Sequence, residues 1–152
     1  MKQETVTLTP GPSGKIMVSD LLPVIIEAND VLHSQFSSCE WLHESPEKYV
    51  RDFRTIRLSI GMRMGHTFAV RKLAKPGDLV VDMSDHMALD TCSNTAAGVE
   101  CISRKTLLEP GAVFKIYPTI WLLNFDFWPR TSMKDIRSRL IKSVHQRMII
   151  LQ

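Results

Sequence analysis

Hydrophobic and polar residues alternate along residues 56–70. The apolar positions are all even-numbered: Ile56, Leu58, Ile60, Met62, Met64, Phe68 and Val70. Successive side chains of a β-strand point to opposite faces, so a period of two predicts a long strand with one buried face. A glycine at 61 or 65 would be the natural place for this strand to bend.

Short apolar runs bounded by turn residues continue beyond this segment. They predict strands at 79–83, 86–92, 99–103, 112–117 and 121–128. Strands that recur about every eight to twelve residues are typical of antiparallel sheets, sandwiches and barrels. The expected fold is therefore α+β, with an antiparallel β-sheet or a partly closed barrel or sandwich as its core.

Helical signals lie on either side of this region. Ser19 or Asp20 can cap a helix over about residues 20–34, and Ser45 followed by Pro46 predicts the start of a second. Near the C-terminus, Ser132 and Asp135 form a capping box. An apolar stripe after it, with basic residues mostly off the stripe, predicts a basic amphipathic C-terminal helix over 130–152.

The length of 152 residues predicts a single domain. Its expected parts are a strand and Pro/Gly loop (1–14), a mainly helical segment (15–54), a β-rich core (55–128) and the C-terminal helix (130–152). Hydrophobic residues make up 44% and charged residues 23%, an ordinary globular composition. No membrane span and no secretory signal are expected from the pattern.

The chain has three cysteines, Cys39, Cys92 and Cys101. Their odd number and wide spacing favour reduced thiols over a disulfide framework. We therefore expect a cytoplasmic or otherwise intracellular location, with a particle component of viral or secretion type compatible with it.

Basic residues are concentrated near the C-terminus. Residues 130–152 hold six basic residues against one acidic residue, a net charge of +5, and the other 129 residues carry −2. A basic helix of this kind could contact nucleic acid through phosphates. The side chains that would do so include Arg137, Arg139, Lys142 and Arg147.

Apolar residues accumulate in the same part of the chain. Ile149, Ile150 and Leu151 come at the end of the sequence, and Trp121 and Trp128 bound a segment with apolar residues on both faces. Such surfaces must be covered, either by the domain itself or by other subunits. Protein partners or further copies of the chain are the occupants we expect.

A possible catalytic set combines Cys39, His86 and Glu100. Ser37 and Ser38 could cap a helix that stabilises a Cys39 thiolate, while His86 and Glu100 lie on predicted strands after the Pro76–Val80 turn. This layout resembles papain-like peptidoglycan hydrolases of the CHAP and NlpC/P60 families, where a helix-borne cysteine precedes a PGDLV-type strand and a strand-leading histidine. The resemblance implies a thiol hydrolase with a cysteine nucleophile, a histidine base and an orienting carboxylate.

The remaining polar residues do not predict a metal or cofactor site. Asp82, Asp85, His86 and Asp90 could offer oxygen ligands to a divalent cation, but their spacing favours a solvated hairpin. The remaining histidines lack zinc-ligand spacing, and we expect no cofactor.

The interpretation that we favour is a non-enzymatic subunit of a larger, homo-oligomeric assembly. The alternatives are the cysteine hydrolase and a basic nucleic-acid-binding module.

Overall fold

The computed structural model describes residues 16–59, 65–84, 88–124 and 132–152, so the strand and loop predicted for 1–14 lie outside it. The helices are α1 (Val18–Phe36), a 3-10 helix (Glu40–Glu44), α2 (Pro46–Phe53), α3 (His66–Leu73), α4 (Ala88–Ser93), α5 (Arg104–Leu108) and α6 (Met133–Leu140). The strands are β1 (Thr55–Leu58), β2 (Leu79–Asp82), β3 (Glu100–Ser103), β4 (Thr119–Leu123) and β5 (Arg147–Leu151).

Serine caps set the starts of two helices where the sequence predicted them. The Ser45 side chain accepts a hydrogen bond from the Lys48 amide at 3.3 Å, and Pro46 occupies the first position of α2. Ser132 accepts from the Lys134 amide at 3.2 Å at the start of α6. These side chains satisfy amide groups that the first turn of a helix leaves without intrahelical partners.

All five strands are parallel, in the order β1-β5-β4-β2-β3. The predicted antiparallel sheet or barrel is therefore wrong. The stretches that separate consecutive strands are residues 59–78, 83–99, 104–118 and 124–146. Each is longer than the dozen or so residues that a parallel crossover needs, whereas an antiparallel hairpin needs as few as two.

Several predicted strands are helical or irregular. The alternating segment 56–70 holds β1, and α3 begins at His66, so the long strand is wrong. Residues 88–93 form α4, and residues 112–117 form no strand. Val70 is buried in α3 while Phe68 is 58% exposed, so the even-numbered residues do not share one buried face.

The predicted C-terminal helix ends early, at Leu140, and the chain then enters β5. Gln146 holds the connection between them: its side-chain oxygen accepts from the amides of Lys142 (2.6 Å) and Ser143 (2.9 Å). Its side-chain nitrogen donates to the carbonyl oxygens of Tyr117 (3.0 Å) and Leu140 (3.1 Å). With a fully buried amide satisfying four backbone groups, the helix stops and the apolar run Met148–Leu151 becomes a strand.

Two apolar layers cover the sheet. On the first face, α1 and α3 bury Val18, Leu22, Ala69 and Val70 against alternate strand residues such as Val80, Trp121 and Ile149. On the second face, α2, α5 and α6 bury Val50, Leu107, Ile136 and Leu140 against the intervening residues, such as Val81, Leu122 and Ile150. Strands buried on both faces have nearly continuous apolar sequences, as β2, β4 and β5 do.

The direction of winding reverses in the middle of the sheet. From β1 the chain passes to β2 and β3 through α3 and α4, moving towards one edge. From β3 it returns to β4 and β5 through α5 and α6, moving the other way. Crossovers of one hand place helices on opposite faces when they run in opposite directions. The connections that follow the adjacent strands β2 and β4 therefore separate, and a crevice is expected between them.

Candidate functional site at the carboxyl edge of the sheet

A buried carboxylate lies at the point where the winding reverses. Asp82 is the last residue of β2, and it is 0% exposed. Its Oδ2 atom accepts a hydrogen bond from the Thr91 hydroxyl at 2.6 Å. Its Oδ1 atom accepts from the Ser84 amide at 2.9 Å and from the Asn124 side-chain nitrogen at 3.0 Å. A buried carboxylate is tolerated when donors surround it in this way.

Asn124 links β4 to this carboxylate through an uncommon backbone conformation. It follows β4 directly with φ at 56°, and among the described residues it is the one non-glycine with a positive φ. Asparagine adopts this region more readily than most residues, yet a left-handed residue at a strand end carries a cost of order 1 kcal/mol. The Met83 amide also donates to the Leu123 carbonyl oxygen at 2.9 Å, which holds the ends of β2 and β4 together.

The cluster joins three elements: β2 supplies Asp82 and the following Ser84, α4 supplies Thr91, and the end of β4 supplies Asn124. Asp82 and Thr91 are buried, whereas Ser84 and Asn124 are half-buried and reach the surface. Asp82 is thus a positioning group, and a ligand at this edge would meet Ser84 and Asn124. In the sequence, Asp82 stands out only as part of an acidic turn, and no pattern marks Thr91 or Asn124.

A second polar cluster ties α1 to the amino ends of β1 and β5. Arg54 is buried, and its Nη1 atom donates to Asp30 Oδ1 at 3.0 Å and to Asn29 Oδ1 at 2.6 Å. Arg147 donates to the same Asp30 oxygen at 2.6 Å and to the Thr119 hydroxyl at 3.1 Å. Burial opposes ionisation of Asp30, but Arg54 and Arg147 outweigh it and lower the pKa of the carboxyl.

This amino-edge cluster borders a cavity of about 500 Å³ that Trp121, Leu73 and Asp78 also line. The Trp121 indole nitrogen donates to Asp78 Oδ2 at 3.1 Å, and the Lys75 amide donates to the same oxygen at 2.9 Å. The charged groups of this cluster bond one another, so we assign it a structural role, which is to hold α1 against the sheet.

The predicted catalytic residues do not converge. Cys39 precedes the 3-10 helix and lies near Tyr49 of α2, next to β1 at one edge of the sheet. Glu100 is in β3 at the other edge, four strand spacings or roughly 19 Å from β1. His86 lies outside the described residues. Glu100 instead accepts hydrogen bonds from Lys115 and Tyr117.

The Glu100 contacts shift two ionisation equilibria. The hydrogen bond from Lys115, and then that from Tyr117, lower the pKa of Glu100. Burial, together with the hydrogen bond to Glu100 and its charge, raises the pKa of Tyr117 to about 12. Glu100 therefore anchors the segment before β4, a structural role that accounts for both of its contacts.

The apolar residues proposed as an interface lie inside the domain. Ile149, Ile150 and Leu151 are each 0% exposed in β5, and Trp121 is 1% exposed in β4. Trp128 lies outside the described residues. The apolar C-terminal segment is therefore covered by the domain itself, and its composition no longer argues for a partner.

The basic residues proposed for interactions are divided between the two faces. Arg147 bonds Asp30 of α1 on the first face, whereas Arg137 and Arg139 of α6 are half-buried on the second. Lys142 is exposed and donates to the Ser138 carbonyl oxygen at 3.0 Å. They do not form one continuous stripe, and nucleic-acid binding stays a prediction.

Two of the three cysteines are paired. Cys92 of α4 and Cys101 of β3 form a disulfide, and Cys39 is free. This pairing conflicts with the expectation of reduced thiols.

The described part of the chain places no three His, Cys, Asp or Glu side chains suitably for a metal ion. Asp85 and His86 of the predicted acidic turn lie outside that part. None of the helices within it has the length and apolar character that crossing a membrane demands.

Compared with known protein families, with curated proteins and with solved structures, this chain matches none.

Proposed function

We propose that this chain is a ligand-binding α/β domain that takes a small polar molecule at the carboxyl edge of its sheet, between β2 and β4. The observation that carries the proposal is the reversal of winding at these two strands, with Asp82 and Asn124 bonded across it. Open parallel sheets bind ligands in the crevice at such a reversal, because the connecting loops part there.

The chemistry of the edge supports a polar ligand. Ser84 offers a hydroxyl group and Asn124 an amide, and Asp82 fixes both residues from below. The strained backbone of Asn124 adds to the argument, since such conformations concentrate where a side chain must be held in place. The proposal is limited to binding.

Amide chemical-shift mapping with a panel of nucleotides, sugar phosphates and amino acids tests this proposal. We expect the signals of Ser84, Thr91 and Asn124 to move with the ligand that binds. Asn124→Gly keeps the positive φ without strain and removes the side chain, so it should weaken binding about tenfold. Ser34→Ala, at the amino-edge cavity, is the matched control and should bind normally.

Shifts confined to the amino-edge cavity would contradict the proposal, as would a panel in which no compound binds. Equal losses of affinity in Asn124→Gly and Ser34→Ala would also contradict it, because they would show a general effect on the fold.

A subunit role in an assembly is the second candidate, and one surface favours it. Phe114 is 83% exposed and Ile116 is 62% exposed, while Lys115 and Tyr117 between and after them hold Glu100. Because Lys115 and Tyr117 fix this segment to Glu100, Phe114 and Ile116 are held in the solvent. Large exposed apolar side chains of this kind are typical of contact surfaces.

Light scattering coupled to size exclusion tests the assembly role. A discrete multimer that becomes a monomer in Phe114→Ser/Ile116→Ser supports it. Phe68→Ser removes another exposed aromatic and should leave the mass unchanged. A monomeric native chain, or a multimer unaffected by the double substitution, removes this surface as the assembly contact.

A further inference from the structure

A pocket with aromatic walls lies away from the carboxyl edge, where the 3-10 helix meets α2. Its volume is about 390 Å³, within the range of small-molecule sites. Its aromatic lining consists of Trp41, Tyr49 and Phe53. Aromatic rings have electron-rich faces, and several of them around one space attract organic cations.

Two of the three rings are fixed in position, and the buried one, Tyr49, supports Phe53 from behind. Tyr49 is 1% exposed, and its hydroxyl lies 2.8 Å from His33 Nδ1. The Phe53 ring packs between two others, with centroid distances of 5.2 Å to Tyr49 and 5.5 Å to Phe36. A binding surface whose rings are already packed loses little conformational entropy when a ligand arrives.

Trp41 is the open wall. It is 72% exposed although tryptophan is the largest apolar side chain, and it lines the same pocket as two packed rings. The other strongly exposed aromatics, Phe68 and Phe114, do not line this pocket. The Trp41 ring is therefore placed to cover a group bound in the pocket.

Acidic residues at the rim select the charge of the ligand. Glu44 and Asp52 line the pocket together with Lys48. Asp52 is held by Arg51 through two hydrogen bonds of 2.7 and 3.1 Å, whereas Glu44 forms no salt bridge with any residue that the structure describes. Glu44 is thus available to a cation, and Lys48 is the group that would compete with it.

We propose that Trp41 and Phe53, with the buried Tyr49 ring holding Phe53 in place, form a cage for a quaternary ammonium group, and that Glu44 supplies the compensating negative charge. A methylated ammonium suits these walls because its charge is spread over methyl groups that pack against rings and give up little hydration. An unmethylated ammonium holds its water tightly and fits less well. The site is independent of the carboxyl edge and does not rest on the function proposed there.

Isothermal titration with choline and with N-acetyl trimethyllysine amide tests the cage. Both probes carry the same group, and the tighter binder identifies whether a free small molecule or a modified side chain is the source. The decisive control is 3,3-dimethylbutan-1-ol, which has the shape of choline without its charge. We expect it to bind at least tenfold more weakly.

Substitutions give the second arm of the test. Trp41→Ala should weaken choline binding about tenfold, and Trp41→Phe should fall between it and the native chain, as expected for a cation over a ring face. Glu44→Gln should weaken binding and Lys48→Gln strengthen it, each a few-fold. Phe68→Ala removes another exposed ring, on α3 and away from this pocket, and should leave choline binding unchanged.

Equal affinity for choline and its uncharged analogue would overturn the proposal and leave only an apolar pocket. Failure of both ammonium probes to bind at millimolar concentration would overturn it as well. So would a Trp41→Ala variant that binds choline as tightly as the native chain and Phe68→Ala do.

Discussion

Removal of the Asp82 carboxylate is the sharpest perturbation of the carboxyl edge. In Asp82→Ala, the Thr91 hydroxyl loses its acceptor in a site where Thr91 is only 4% exposed. A hydrogen bond to a buried charged group contributes about 1.5–3 kcal/mol, and a stranded buried donor carries the full cost of its lost hydration. The Ser84 amide and the Asn124 side chain are half-buried and recover part of their hydrogen bonding from water.

The sum is a loss of about 3–4 kcal/mol in the free energy of unfolding, or roughly 10 °C in Tm for a domain of this size. Urea unfolding measures it as a lower midpoint at an unchanged slope. Thr91→Val, which removes one of the three donors at constant shape, should cost about half as much. The two substitutions together should cost less than their sum, because they remove the same hydrogen bond.

Asp90→Ala is the matched control for these variants. Asp90 is on the same helix as Thr91, and its side chain is 65% exposed. It pairs with Arg71 at 3.7 Å and accepts a hydrogen bond from the Asn94 side chain at 3.1 Å, both at the surface. An exposed pair of this kind contributes little, so the change should stay within about 0.5 kcal/mol. If Asp82→Ala lowers the free energy of unfolding no more than Asp90→Ala does, the buried cluster does not exist as described. The proposed binding site at the carboxyl edge would then lose its support.

Three further predictions concern the core and two ionisable groups. Ile150→Ala should destabilise the domain by about 2–5 kcal/mol in urea unfolding, because this side chain is fully buried in β5; an exposed C-terminal segment would tolerate it. In a Tyr49→Phe background, ultraviolet titration should show Tyr117 ionising with a pKa of about 12, and Glu100→Gln should move that pKa towards the ordinary value near 10; no movement would exclude the contact. Burial, with neighbouring positive charge, lowers the pKa of His33 in the folded state. The neutral imidazole therefore contributes to stability above about pH 6.5, and this contribution is lost as pH falls through the folded-state pKa. His33→Gln should therefore flatten the decline in urea midpoint between pH 7.5 and 5.5, and an unchanged decline would contradict this.

Local signals in the sequence were reliable where they reflect local chemistry. Ser45 and Ser132 cap the helices whose starts they predicted, since a capping bond depends on a residue two or three positions away. The apolar runs at 79–83 and 99–103 correspond to β2 and β3. The caps need contacts within a few residues, and a short apolar run marks a buried strand whichever strands lie beside it.

Strand direction depends on connections that the pattern did not reveal. The short helices α4 and α5 have six and five residues and carry no amphipathic period of their own. The pattern therefore predicts a strand in place of α4 and no element in place of α5. Without these helices, the chain looks like strands joined by short loops, and an antiparallel sheet follows. The unbroken apolar character of Ile120–Leu123 and Met148–Leu151 was the available sign of parallel strands covered on both faces.

The polar cluster at the carboxyl edge could not be predicted from the sequence for a related reason. Asp82, Thr91 and Asn124 come together only because β2 and β4 are neighbours, and that adjacency is a property of the topology. A single aspartate after an apolar run is common. Its significance depends on which strand lies beside it.

The position of β5 has a consequence for how the domain comes to be folded. β1 pairs only with β5, and β5 also pairs with β4, so the strand made last among the five fills a gap between two that were made before it. During synthesis, residues 55–58 have no backbone partner in the sheet until residues 147–151 have emerged. Closing so distant a pairing is slow, and the earlier strands expose an unpaired edge while they wait. The interval between the translation of β1 and that of β5 is therefore the period in which an unpaired edge is exposed to aggregation.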